Sequence, residues 1–372
     1  MIRKLKIILQ TLEDSMDPKQ QDAIDSIYRK SFKWEPVEKL PLICTYPYPE
    51  THTLQPFPHS ETFENPEKML FNELVHAFNT SIFLHKEIQD DLPYTIRANF
   101  GTVIIASLFG GKVEQRGNNP PWVKHFESTE EFKSVLEREP YDFSQGICPK
   151  VIERYKYYGD VLNYYPNLKK CIKLVLPDLQ GPLDTLELLR GSKVYEDFIL
   201  EPEMTERGLH LMSLAQVGFA RQLQPFISDS SDGFSHQHAN AIKGNILIRN
   251  DSAIMISPEM YARQVAKHDE FVLKEMGGGG IHSCGRIDYN IPEIFRLSSM
   301  HCFDFGQSHL NDTDRVYALA KERKIAILRI KAGKDELLSG RIRQRFPTGV
   351  SLIYEAESFE EVKETMRIYS YL

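Results

Sequence analysis

No charge-free apolar run in this sequence is long enough to cross a bilayer. A long block of lysine and arginine is also missing, and the formal net charge of −7 is spread as mixed signs along the chain. Neither a membrane span nor a footprint for nucleic-acid phosphates is therefore expected. The opening stretch "MIRKLKIILQTLEDSMDPKQQ" has basic residues, but its apolar patch is too brief for a signal-peptide core and carries no small-residue cleavage site. The expected location is cytoplasmic. Cysteine is scarce: Cys44, Cys148, Cys171, Cys284 and Cys302 make an odd count of 5, at a density that excludes a disulfide-stapled scaffold. Cys44, Cys148 and Cys171 read as small buried hydrophobes.

What is present is ordinary for a packed globular chain, with 41% hydrophobic and 26% charged residues in a length of 372. The N-terminal part is irregular in texture. A helix around "DPKQQDAIDSIYRKSF" leads into the Pro-rich "EKLPLICTYPYPETHTLQPFPHSETFENPEK", read as a segment that wraps over a scaffold. Residues 1–70 are assigned to this extension and 71–372 to the main domain.

From about residue 94, short β-rich runs alternate with helical stretches, the pattern of a parallel sheet. "IKLVLPD" precedes a helix that opens at Pro182 and stops at Gly191, and "NILIRND" precedes one opening with Ser257-Pro258-Glu259. "GIHSC", "HCFDFG", "IAILRI" and "GVSLIYEA" follow, each with its own helix. Adding "TIRANFG" and "KVEQR" gives eight candidate strands, the number that closes a (β/α)8 TIM barrel. The fold class expected is α/β, a (β/α)8 barrel with an N-terminal helical and Pro-rich extension; an open doubly wound sheet is the alternative.

Chemistry in a barrel sits at the C-terminal strand ends. Those ends carry Arg97 and Asn99, Asp178 and Gln180, Asn250 and Asp251, His282 and Cys284, Asp304 and Gln307, Arg329, and Tyr354 and Glu355. Any one of them reads equally as a cap or loop contact. His282 and Cys284 differ, because residues i and i+2 of a strand share a face. Imidazole nitrogen and thiolate sulfur are ligands zinc prefers, and a catalytic zinc needs three protein ligands with one position open. The bland alternative is a hydrogen-bonded histidine beside a core cysteine. For a third ligand Cys302, Asp304 and Glu355 all stand open. His236 and His238 form another local pair, read as solvated or substrate-facing.

Several stretches, "NFGTVIIASLFGGKVEQ", "LPDLQGPLDTLELLRGSKVYEDFILEPE", "NDSAIMISPEMY", "GGIHSCG" and "RFPTGVSLIYEAES", together resemble the uroporphyrinogen decarboxylase superfamily over roughly residues 70 to 372. That superfamily of (β/α)8 barrels holds true decarboxylases and the methyltransferases that serve corrinoid proteins. The H-x-C-G stretch is similar to the methyltransferase branch, where such a His and Cys bind zinc and a later Cys completes the site. His282 and Cys284 match, but no cysteine follows Cys302, and Tyr354 and Glu355 stand about where it is expected.

The resemblance implies a zinc-dependent methyltransferase moving a methyl group between a small methylated substrate or thiol and a corrinoid protein. His282, Cys284 and Glu355 would hold Zn2+. Asn99, Asp178, Gln180, Asp251 and Gln307 would bind substrate, and Tyr354 and Asp251 are the catalytic candidates. The runner-up is a metal-free decarboxylase of a tetrapyrrole or other polycarboxylate, disfavoured because "YTIRANFGT" offers Arg97 as its only cation. A non-catalytic accessory protein is the third reading, and a homodimer is left open.

Overall fold

The structure, a computed structural model, describes residues 1–47, 54–77, 87–115, 117–137, 142–229, 232–237 and 239–370. Its strands in chain order are β1 (Leu42–Thr45), β2 (Thr95–Ile96), β3 (Lys112–Glu114), β4 (Trp122–Lys124), β5 (Lys173–Leu174), β6 (Phe234–Gln237), β7 (Asn240–Lys243), β8 (Ile246–Arg249), β9 (Gly279–Ser283), β10 (Met300–Phe305), β11 (Ala326–Lys331) and β12 (Val350–Glu355). A six-stranded parallel sheet runs in the order β1-β12-β11-β10-β9-β8. The two-stranded parallel pair β2-β5 continues it through one isolated parallel bridge between Gln180 and Arg249. Among the described residues no ladder joins β1 to β2, so the α/β class and the parallel sheet are present while the expected barrel is seen as two parallel sheets.

Two strand assignments change. The run "KVEQR" contributes β3, which pairs antiparallel with β4 in a separate hairpin. The wrapping segment, in turn, contains β1, whose "LICT" pairs with Leu352 to Glu355 of β12. Four apolar-rich residues between prolines are too short a run to announce a sheet strand; burial against β12 makes it one.

Local signals match elsewhere. The helix Pro182–Arg190 has its proline in the first turn and stops at Gly191, φ +68°. Ser257 caps the next helical stretch by accepting a hydrogen bond from Met260 N. That stretch runs through Pro258–Met260, a π-helical turn Tyr261–Val265, and Ala266–Glu275. The strands β8 and β9 are buried throughout, as expected of parallel strands covered on both faces.

The N-terminal end of the main sheet is closed by the helix Pro18–Phe32 and the antiparallel hairpin β6-β7. Ile24, Tyr28 and Phe32 of the helix pack with Phe234, Ala241 and Ile242 of the hairpin and with Leu247, Cys302, Ala326 and Leu328 of the sheet. Among the described residues no helix is long and apolar enough to cross a membrane.

Four consecutive glycines, 277–280, precede Ile281 and divide in two. Gly277 and Gly278 turn the chain at φ +81° and +97°, where L side chains are strained, and Gly279 and Gly280 already belong to β9.

Candidate metal centre

Three adjacent strands set the site in register: Arg249 of β8 lies beside His282 of β9, which lies beside Asp304 of β10. Just past β8 the chain enters a 3-10 turn, Asp251–Met255, and just past β9 comes Cys284. The ligand atoms of Asp251, His282 and Cys284 all lie within 4.8 Å of one another. His282 Nε2 is 3.4 Å from Cys284 Sγ and 3.5 Å from Asp251 Oδ1. Donors about 2.0–2.3 Å from one tetrahedral zinc are about 3.3–3.8 Å apart. The spacings from His282 to its two neighbours therefore suit a divalent ion of zinc's size, and the third pair, sulfur and oxygen, lies within 4.8 Å.

The imidazole is oriented from behind. Asp304 Oδ2 accepts from His282 Nδ1 at 2.8 Å, and Arg329 Nε and Nη2 donate to Asp304 Oδ1 and Oδ2, each at 2.5 Å. Burial alone would raise the Asp304 carboxyl, but the Arg329 charge and His282 outweigh it and hold it well below the usual carboxylate range. An ionised Asp304 can only accept, so the proton sits on Nδ1. Nε2 then faces Cys284 and Asp251. Arg329 Nη2 also lies 3.0 Å from Nδ1, which follows from both groups serving the same carboxylate oxygen. This carboxylate-histidine arrangement is the usual support of a metal-bound imidazole.

Arg329 reaches Asp304 through a bulge. Between Ile327↔Val350 and Ile330↔Leu352 the β11-β12 register slips, and Arg329 takes φ +58°. Its N–H donates to Ser351 Oγ at 3.2 Å. A long side chain held at positive φ inside a strand is strained, and such bulges re-aim side chains at sites.

Cys284 has room because residue 306 is glycine: a Cβ there would stand 2.6 Å from Sγ. Its N–H donates to Asp251 Oδ1 at 2.7 Å. Burial, and after it the Asp251 charge, push the thiol up to about 11. Gln307 Oε1 accepts from Gly285 N at 2.7 Å, holding the turn that follows Cys284.

The remaining sequence candidates separate into those near the centre and those away from it. Asp178 accepts from Gln180 Nε2 at 2.9 Å and faces Arg97 and Arg249, each at 3.7 Å. Arg97 is thus joined by Arg249 and Arg329, cations from later strands that the first strand alone did not reveal. Arg249 Nε and Nη2 are buried without a hydrogen-bond partner. Asn99 Nδ2 donates to Glu73 Oε1 at 2.9 Å.

Glu355 and Tyr354 stand apart. Glu355 is half-exposed and paired with Lys331, and it is not in the cluster with His282 and Cys284. Tyr354 turns outward, its hydroxyl donating to Glu361 Oε1 of the helix Phe359–Tyr369 at 3.0 Å. Cys302 lies in the closed N-terminal end and bonds Lys243 O at 3.4 Å. His236 is clamped between Asp229 and Asp25, and His238 lies outside the described residues. The third member of the cluster is thus Asp251, in sequence a candidate for substrate binding and catalysis. Asp184, which accepts from the N–H groups of Asp251 and Ser252, carried no sequence signal beyond its place in the first turn of a helix.

No family model matches the chain, and no curated protein does. Among solved structures the fold is similar to that of a methyltransferase from Methanosarcina mazei, with a TM-score of 0.63 at 14% identity over 94% of this chain and 98% of that one. At that identity the likeness is one of fold.

Proposed function

We propose that the chain is a zinc-dependent methyltransferase that moves a methyl group between a small methylated substrate or thiol and a corrinoid protein. The observation that carries this reading is the spacing of His282 Nε2 from Cys284 Sγ and Asp251 Oδ1, 3.4 and 3.5 Å. The fold likeness to a methyltransferase supports it. When bound, the metal supplies Lewis acidity that activates a heteroatom of the substrate.

The chain's own residues do the rest. Asp304 keeps the His282 proton on Nδ1, and Arg329 keeps Asp304 ionised. Gln307 fixes the turn beyond Cys284. Asp178, Gln180 and Arg249 line the neighbouring strand ends, where they orient the substrate by hydrogen bonds and charge. Incubation with methylcobalamin and a panel of small thiols tests the reading: transfer yields the methyl thioether and free cob(I)alamin, followed by absorbance. Zinc-dependent transfer that a chelator stops is expected; no turnover by zinc-loaded protein, either with methylcobalamin and any thiol or with cob(I)alamin and any methylated amine, would contradict it.

A metal-free decarboxylase of an anionic substrate is the second reading, favoured by Arg249 Nη2, which is buried without a hydrogen-bond partner. It requires activity, or a shift in porphyrin absorbance on mixing, that chelators leave unchanged.

A further inference from the structure

We propose that Asp184 is a positioning residue of the metal centre: its carboxylate fixes the backbone that carries Asp251 and so sets the third ligand. The inference rests on the metal reading above.

Asp184 lies in the first turn of the helix Pro182–Arg190 and is 4% exposed. Its Oδ2 accepts from Asp251 N at 3.0 Å and its Oδ1 from Ser252 N at 2.8 Å. Those two N–H groups open the 3-10 turn Asp251–Met255, and Asn250, which precedes it, gives no side-chain cap. Unpaired N–H groups at a buried turn start are costly. Asp184 therefore caps the turn from a separate element.

The helix that carries Asp184 is itself tied to β8. Gly181 N donates to Arg249 O at 2.8 Å, and the carbonyl of Arg249 fills the space a Cβ on residue 181 would need. One rigid path thus runs from the helix start through the end of β8 to Asp251. His282 lies within β9 and Cys284 directly follows it, whereas Asp251 sits on a short turn with its side chain half-exposed. Its placement depends on the backbone beneath it.

The residue type at 184 is informative. A carboxylate facing the backbone of another carboxylate residue is repelled by it, and serine or asparagine would cap one N–H without that cost. Only a carboxylate accepts from both N–H groups with two oxygens. The two-point grip locks the direction of the turn, which a single bond leaves free to pivot.

Zinc affinity, measured by competition with a chromophoric chelator, tests this in wild type, Asp184→Asn, Asp251→Asn and the double variant, with melting curves to confirm folding. Asp184→Asn is expected to weaken zinc about 10- to 100-fold, the range seen for outer-shell supports, and to add nothing further in the Asp251→Asn background. Asp184→Ser, a smaller capping residue, serves as the second variant and is expected to fall in the same range. Affinities within twofold of wild type for both variants, or an equal loss with and without Asp251, would overturn the proposal. Wild type binding zinc no better than His282→Ala/Cys284→Ala would overturn the metal reading itself, and this inference with it.

Discussion

A histidine can ligate a metal through either ring nitrogen, and the neighbours of His282 decide which nitrogen faces Cys284 and Asp251. Asp304, kept ionised by a two-bond grip from Arg329, claims Nδ1 and leaves Nε2 to the cluster. Asp304→Asn is therefore expected to lower zinc affinity about 10- to 100-fold, read in the same chelator competition, because the amide can present its NH2 to the ring and favour the wrong tautomer. Gly306→Ala is expected to displace the Cys284 thiol, whose Sγ would face the new methyl at 2.6 Å. Cobalt-loaded Gly306→Ala should accordingly show a weakened thiolate charge-transfer band. Glu355→Gln and Tyr354→Phe are expected to leave metal affinity unchanged, since Glu355 pairs with Lys331 and Tyr354 with Glu361.

The juxtaposition of His282 and Cys284 is legible in the sequence because the two-residue period of a strand is local: positions i and i+2 share a face whatever surrounds them. That Asp251 joins them is not, because it arrives from the neighbouring strand by a turn whose first two N–H groups bond to Asp184. Glu355 falls outside the cluster for the opposite reason. Its place at the end of a strand is right, but β12 lies beyond β10 and β11 from β9, and Lys331 of the adjacent strand takes the carboxylate.

At the scale of elements, the hairpin β6-β7 and the helix Pro18–Phe32 close the N-terminal end around His236. Its Nδ1 lies 2.8 Å from Asp229 Oδ1 and its Nε2 3.1 Å from Asp25 Oδ1. Burial pulls the imidazole down, but the two carboxylates outweigh it and raise it to about 9 from an ordinary 6.5. A cation stabilised in the folded state contributes fully below pH 6.5 and loses that contribution as the pH rises through about 9. The difference in unfolding free energy between wild type and His236→Gln should therefore shrink over that interval, by at most about 3 kcal/mol. Denaturant melts at pH 6, 7.5, 9 and 10 check it; a difference independent of pH would contradict a protonated His236.

Element existence follows from pattern, but pairing follows from tertiary burial. "KVEQR" has the composition of a sheet strand and instead folds back on Trp122–Lys124; the turn-forming "GNNPPW" between them was the available signal. Leu42–Thr45 is hidden among prolines, yet all of Leu42, Ile43 and Cys44 are buried on β12. The later units, from β8 to β12, are long enough and capped clearly enough to be read directly.

For the whole molecule, the closed end and the site end divide the work. Helix Pro18–Phe32 and the hairpin fill one end with apolar side chains, and the opposite strand ends gather Arg97, Asp178, Arg249, Asp251, His282, Cys284, Asp304 and Arg329. This division was foreseeable from the order of strands and helices. That Asp251 joins His282 and Cys284 was not, since it depends on how neighbouring strand ends converge. The most direct measurement is the metal content of protein purified without added zinc and after zinc reconstitution, by mass spectrometry, for wild type and Cys284→Ala. About one zinc per chain in wild type, lost in Cys284→Ala, is the result predicted; no stoichiometric metal in reconstituted wild type, or equal metal in both proteins, would contradict the account.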